Sequence, residues 1–242
     1  MDISALSSRG IQAANVPTVV NEATADTALF LLIGALRQFP QALAQLRTGN
    51  FNKTFSFQNA SDPEGLTLGI VGAGGIGRTM ARKAAHALGM HVVYFNRNRL
   101  SDELETQGMP PGTRMTYALT LESLLGQSDV VSLHCPLTPE TKHFIGRAQL
   151  ARMQPHAVLV NTARGPVVDE EALVEALENG TIAGAGLDVY ENEVCCSITY
   201  LPSLKFIQDC LNSPRLKPCF FLMLVLSAFK RRPIWKLCAF AT

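Results

Sequence analysis

The sequence predicts an α/β fold built on a doubly wound parallel sheet, and three observations carry that expectation. From residue 66 to residue 190, short apolar runs alternate with Ala- and Leu-rich amphipathic stretches. Strands separated by helices of such length join in parallel through crossovers. The run LTLGIV leads directly into a glycine-rich turn and an Ala-rich helix, the order in which a nucleotide-binding strand–turn–helix unit is built. Breakers then stand where the pattern should turn, at Gly89 and at Asn179-Gly180.

Residues 66–71 form the first strand, and residues 76–88 the helix that Gly89 stops. MHVVYF, residues 90–95, is a second buried strand, followed by a weak helix over 101–107 and a short strand near 114–117. Thr120 is placed to cap a helix over 121–125, and DVVSLH, residues 129–134, makes the next strand. A helix over about 147–153 leads into strand 157–161. Asp169 opens a helix that runs to Glu178, and 183–190 is the last strand of the alternation. Ahead of the sheet, residues 20–46 are apolar and Ala-rich. They predict either one long helix or two broken near Phe39-Pro40, and the polar stretch 48–65 reads as a connecting loop.

At 242 residues and a net charge of +1, the chain offers no bulk charge to attract nucleic acid or a membrane surface. The longest apolar stretch, 219–229, is far shorter than the roughly 20 residues of a membrane span. MDISALSSRG lacks the apolar core of a secretory signal, and the six Cys form neither a CxxC pair nor a Cys/His zinc pattern. Neither export, a disulfide framework nor a metal is expected, and a soluble cytoplasmic protein is the default. The composition is uneven, however. Residues 194–242 carry seven Lys/Arg against the single acid Asp209, hold five of the six Cys and contain no Gly. Within them FFLMLVLSAF predicts a short buried strand or helix, or an exposed aggregation-prone segment.

LGIVGAGGIGRTMA places Gly72, Gly74 and Gly77 in GxGxxG spacing between a strand and a helix. In that context Gly72 permits the tight turn and Gly74 lets backbone approach a pyrophosphate. Gly77 lets the helix pack on the sheet, with its first N–H groups aimed at the anion. Gly75 and Ile76 share the turn and join the cofactor-binding set. The sheet is then of the Rossmann type and its ligand NAD or NADP. A site preferring NAD places Asp or Glu at the end of the second strand, on the ribose hydroxyls. Asn96 stands there instead, followed by Arg97, Asn98 and Arg99. No acid repels a 2′-phosphate at that point, and Arg97 or Arg99 suits one, which tilts the reading toward NADP. The alternative is that both arginines are solvated loop charges.

Five segments in order extend this reading: RGIQAANVPTVVNEATADTALFLLIGALR, DPEGLTLGIVGAGGIGRTMARKA, DVVSLHCPLTPETKHFIG, VLVNTARGPVVDEEALVEAL and GAGLDVYENE. Together they resemble the D-isomer-specific 2-hydroxyacid dehydrogenases, and most of all their glyoxylate/hydroxypyruvate reductase branch. The resemblance implies an NAD(P)-dependent oxidoreductase acting on a small 2-keto or 2-hydroxy acid. It puts Thr27 near the nicotinamide, and His134, Cys135 and Pro136 on the adenosine side, with Thr141 in the same cofactor loop. Thr162 and Ala163 would contact the cofactor through backbone, and Asp188 would hold the nicotinamide carboxamide. Arg164, in NTARG, would bind the substrate's carboxylate or carbonyl oxygen beside the cofactor, and Glu193 would hydrogen-bond the catalytic histidine. Reducing a 2-keto acid needs a fixed cation, a general acid near the carbonyl oxygen and a carboxylate to orient that acid.

The resemblance also implies a domain plan. Residues 1–19 are a remnant of the substrate domain, 20–65 interdomain or dimerisation helices and a loop, 66–193 the NAD(P)-binding domain, and 194–242 an irregular, divergent tail. The backbone amides that clamp the substrate carboxylate in the family would precede Met1. Past Glu193 the family continues to a PHxG-type segment bearing the catalytic histidine, whereas no His follows His156 here. His86, His91, His134, His143 and His156 do not correspond to that acid. The expectations are a tail outside the family's pattern, as intron read-through or a frame change would produce, and a chain of impaired catalysis. Pairing of the 20–46 helices, as a homo- or hetero-dimer, is the expected partnership.

Overall fold

The computed structural model describes residues 3–12, 14, 18–47, 60–191 and 219–221; Glu193, most of the 48–65 loop and most of the 194–242 tail lie outside them. Helices α1 (Ile3–Ser8), α2 (Asn21–Leu36) and α3 (Phe39–Arg47) come first. Strand and helix then alternate as β1 (Thr67–Val71), α4 (Gly75–Leu88), β2 (His91–Phe95), α5 (Asp102–Thr106), β3 (Thr116–Tyr117), α6 (Leu121–Gln127) and β4 (Val130–Leu133). The second half adds α7 (Arg147–Leu150), β5 (Val158–Asn161), a 3-10 turn (Gly165–Val167), α8 (Glu170–Glu178), β6 (Gly184–Leu187) and β7 (Cys219–Phe221). Every pairing is parallel, and the strand order is β3-β2-β1-β4-β5-β6-β7. The doubly wound α/β sheet of the Rossmann type is therefore the observed fold.

Parallel strands buried on both faces read as apolar runs, and their residues divide between two cores with a period of two. Leu68, Ile70, Val92, Tyr94, Val130, Val158 and Val160 face one side, packed with α2 and α4. Val71, Val93, Val131, Leu133, Leu159, Ala185 and Leu187 face the other, with Leu124, Leu125, Leu173 and Leu177 of α6 and α8. Each fully buried Leu or Ile removes enough apolar surface to contribute roughly 1.5–3 kcal/mol. Helix α2 comes close because β6 carries a glycine where it passes: a Cβ on Gly186 would sit 2.9 Å from the Leu31 Cβ. Lys83 of α4 fastens the same helix by ion pairs to Glu22 and Asp26.

Local chemistry explains where elements start and stop. Ser101 Oγ accepts from the Leu104 N–H, Thr120 Oγ1 from Ser123 and Asp169 Oδ1 from Ala172, so α5, α6 and α8 are each capped by a side chain. The 20–46 stretch is two helices, and the break falls at Arg37 and Gln38, where Gln38 takes φ 54°. Pro40 does not break the chain because it sits in the first turn of α3, where its missing N–H has no acceptor to lose. Strand β6 stops at Leu187, three residues before the end expected of it, and Cys219–Phe221 adds a strand beside it. Among the described residues no helix is long and apolar enough to cross a membrane.

Candidate dinucleotide site

In a parallel sheet all carboxyl ends lie on one edge, and a crevice opens where the winding changes direction. Here that point lies between β1 and β4, which are sheet neighbours although β2 and β3 intervene in sequence. The two loops that meet there are in close contact. Gly72 has φ +97°, and a Cβ on it would lie 2.8 Å from the His134 carbonyl carbon and the Cys135 nitrogen. Only glycine satisfies both demands, the left-handed turn and the approach to the His134–Cys135 peptide. Gly77 sits under the same turn, where a Cβ would collide with the Gly72 carbonyl oxygen. Gly74 differs: it is exposed, and nothing lies within 4 Å of where its Cβ would be.

Helix α4 begins at that open position without a side-chain cap, in contrast to α5, α6 and α8. Its first-turn N–H groups and the positive end of a 14-residue helix face the turn and favour an anion. Gly75 and Ile76 are half-buried in this turn, and Asn21, the first residue of α2, packs against Gly75. Thr27, two turns further along α2, is half-buried and donates its hydroxyl to the Ala23 carbonyl at 3.1 Å.

At the exit of β2, the Asn96 Oδ1 accepts from the Ala73 N–H at 2.8 Å, so Asn96 buttresses the glycine loop itself. Arg99 is committed to Glu105, with Nε to Oε1 at 2.8 Å and Nη2 to Oε2 at 3.0 Å. Arg97 is exposed, and its charge helps hold the Glu140 carboxyl below its usual range, after hydrogen bonds from Thr138 and from the Glu140 backbone. Both arginines considered from sequence are exposed, but Arg99 is paired with buried Glu105, whereas the charge of Arg97 acts on Glu140.

At the exit of β4, the His134 N–H donates to the Val71 carbonyl and its Nε2 lies 2.9 Å from Ser132 Oγ. Burial pushes the His134 imidazole down to about 4, so it is neutral near pH 7. Cys135 packs against the core and burial pushes its thiol up. Pro136 is exposed, and Thr141 closes the loop that follows, accepting from the Thr138 N–H at 2.7 Å and donating to the Pro136 carbonyl at 2.6 Å.

The exit of β5 is built from neutral groups. Asn161, 1% exposed, accepts from the Ala163 N–H and donates to the Arg164 carbonyl, both at 3.0 Å. That clamp presents Arg164 in extended backbone, with its side chain exposed and Nη1 on the Ala163 carbonyl at 2.7 Å. Gly165 follows because a side chain there would strike the Tyr190 carbonyl. Thr162 is 7% exposed, and its hydroxyl is the one buried side-chain polar atom without a hydrogen-bond partner among the described residues. At the exit of β6, half-buried Asp188 continues the ladder by donating its N–H to the Asn161 carbonyl at 3.0 Å.

Asn161, Tyr94 and Glu105 were not singled out from sequence. The Asn of NTARG is a visible signal, an amide at a strand end three residues before Arg164. Glu105 gives none, lying within a weak helix. Among the described residues no cluster of His, Cys, Asp or Glu is arranged to hold a metal. The open space at Gly74, the uncapped start of α4 and the orphaned Thr162 hydroxyl together fit a dinucleotide lying across the β1/β4 crevice. Gly72–Gly77 would hold its pyrophosphate and the β5 and β6 exits its nicotinamide end.

Comparison with known proteins decides the lineage. The model of the D-isomer specific 2-hydroxyacid dehydrogenase NAD-binding domain matches residues 29–214, a span that runs past Glu193 into the region expected to diverge. The chain belongs to this family. It is 46% identical over 193 residues to 4-methyl-2-oxopentanoate reductase A of Aspergillus oryzae, covering 80% of this chain and 55% of that protein. The crystal structure of a glyoxylate reductase from Paecilomyes thermophila aligns with TM-score 0.76 and 43% identity, over 92% of this chain and 61% of that one. An NADPH-dependent glyoxylate/hydroxypyruvate reductase of Sinorhizobium meliloti, in complex with NADP and malonate, aligns with TM-score 0.75 and 36% identity, over 94% and 64%. The chain spans about half the length of the curated relatives it matches. Within the family the matched region is the NAD-binding domain.

Proposed function

We propose that this chain is a dinucleotide-binding oxidoreductase of the 2-hydroxyacid dehydrogenase type, preferring NADP(H) and directed at glyoxylate or hydroxypyruvate. The observation that carries it is the glycine turn and uncapped α4 at the β1/β4 crevice, with Arg164 presented on the next strand exit. Arg164 would fix the carboxylate or carbonyl oxygen of a 2-keto acid through charge-assisted hydrogen bonds. The bound nicotinamide would supply hydride. Asp188 would orient the carboxamide, and Glu193, outside the described residues, would orient a histidine acid. The NADP(H) preference rests on Asn96 in place of an acid and on the exposed Arg97 beside it. The exposed Val20, Phe30, Phe39, Leu43 and Leu46 on and around α2 and α3 would meet a second copy or a relative in a dimer.

The absence of any His after His156 favours a second reading, a chain that binds cofactor better than it turns over substrate. Losing a general acid slows such chemistry by roughly 10²–10⁴-fold. One experiment separates the readings: titrate the purified chain with NADPH and NADH by fluorescence, then assay glyoxylate reduction. Binding with turnover near the common range of about 1–10³ per second supports a competent enzyme. Binding with turnover slower by the factor above supports the second reading, and failure to bind either nucleotide refutes both.

A further inference from the structure

The chain leaving β2 is pinned at both ends and open in the middle. Asn96 is held by the Ala73 N–H at 2.8 Å on its side chain and by the Tyr117 hydroxyl at 3.3 Å on its carbonyl. Four residues on, the Leu100 N–H donates to the Tyr94 hydroxyl at 2.9 Å, and that hydroxyl donates to Glu105 Oε1 at 2.6 Å. The Glu105 side chain is 1% exposed and takes both Arg99 contacts and a further ion pair from Arg114. Tyr94 is fully buried, its ring 5.3 Å from that of Tyr117. Between these anchors Arg97, Asn98 and Arg99 are exposed, and of the two arginines Arg99 is the one paired with Glu105.

We propose that Tyr94, Glu105 and Arg99 act as a positioning device that fixes the 96–100 loop, and through it Arg97, for recognition of a 2′-phosphate; this rests on the NADP(H) reading above. A buried carboxylate is costly unless paired and hydrogen-bonded. Glu105 meets that condition through a tyrosine and two arginines, so the network is a built feature rather than a surface ion pair. Its geometry commits Arg99 to Glu105 and leaves Arg97 as the cation outside the network. An arginine on a fixed loop loses less freedom on gripping a phosphate than one on a loose loop. The device therefore acts on NADPH and is neutral toward NADH, which has no 2′-phosphate. That asymmetry separates positioning from a merely structural role.

The test measures dissociation constants for NADPH and NADH, by fluorescence, on the full chain and on Tyr94→Phe, Glu105→Gln and Arg97→Ala. Tyr94→Phe keeps the ring against Tyr117 and removes only the hydroxyl, so it remains informative if Glu105→Gln fails to fold. Arg97→Ala should weaken NADPH roughly tenfold, the size of one charge-assisted contact, with NADH unchanged. Tyr94→Phe and Glu105→Gln should each lower the NADPH preference by roughly three- to tenfold, with NADH affinity held within about twofold. Equal weakening of both nucleotides, or an unchanged preference in Tyr94→Phe, overturns the positioning role while leaving the cofactor reading intact. A wild-type chain that binds both nucleotides equally overturns the NADP(H) reading itself, and the device with it.

Discussion

Two strand exits on the same edge of the sheet solve the same problem with opposite chemistry. The exit of β2 is held by charge: Glu105 is buried against Arg99 and Arg114 and hydrogen-bonded by Tyr94. The exit of β5 is held by neutral hydrogen bonds: Asn161 clamps Ala163 and Arg164, and a glycine seats the turn against Tyr190. Each displays an exposed arginine outside its holding network, Arg97 at the first and Arg164 at the second. A charged scaffold answers to pH, whereas a neutral clamp holds its geometry wherever the amide is intact. The two arginines should therefore be separable by solution conditions as well as by mutation.

The largest effect is expected at the neutral exit. Gly165→Ala would drive a methyl into the Tyr190 carbonyl. Overpacking of this kind should cost about 3 kcal/mol in urea unfolding, by a similar amount at pH 7 and pH 4. Asn161→Ala should cost about 2 kcal/mol, since it leaves the Ala163 N–H and the Arg164 carbonyl without partners. Nucleotide titration should then show weaker binding in proportion to the loosened turn.

The charged exit should respond less than Gly165→Ala at neutral pH and more distinctively with pH. Glu105→Gln should cost about 2 kcal/mol near pH 7, less than a fully buried pair because Arg99 and Arg114 remain half in solvent. Arg99 chiefly, against the opposing effect of burial, holds the Glu105 carboxyl down to about 2 from 4.5. A depressed carboxylate stabilises the fold above its unfolded value and loses that contribution as pH falls through its folded value. The penalty of Glu105→Gln should accordingly shrink between pH 4.5 and about 2, measured by acid-dependent urea unfolding. His134 has its own window. Burial lowers it from 6.5 to about 4, so the unfolded chain takes up the proton first and stability falls as pH drops across that interval. His134→Gln should flatten that portion of the curve and leave the Glu105 portion in place.

The smallest effect is one of screening. Raising the ionic strength from about 0.05 to about 0.5 M should weaken NADPH a few-fold more than NADH, because only the former engages exposed Arg97. Equal salt dependence for the two nucleotides would remove the charge-based distinction between the exits.

Much of this was legible in the sequence, for reasons specific to each element. Continuous apolar runs marked the strands, and Gly72 and Gly77 marked the strand–helix turn, because a left-handed turn and a close helix contact each demand glycine. Thr120 and Asp169 announced their helices by their own chemistry. The sequence misled where tertiary partners decide. Arg97 and Arg99 look alike in FNRNR, and only the fold brings Glu105 up to claim the second. Glu105 gives no sign of its role in the sequence, since its two arginines are six and nine residues away and its tyrosine eleven. Of the two alternatives for residues 20–46, the break near Phe39-Pro40 is the one observed; it falls at Arg37–Gln38, with the proline at home in the first turn of α3.

The claim on which the rest depends is that nucleotide occupies the carboxyl edge of the sheet at the β1/β4 crevice. Amide hydrogen exchange with and without saturating NADPH tests it directly. Protection should gather in 72–77, 134–141 and 161–164, the three loops that meet on that edge. Protection confined to the opposite edge, in the shallow cavity lined by Met90, His91, Met109 and Arg114, would contradict it.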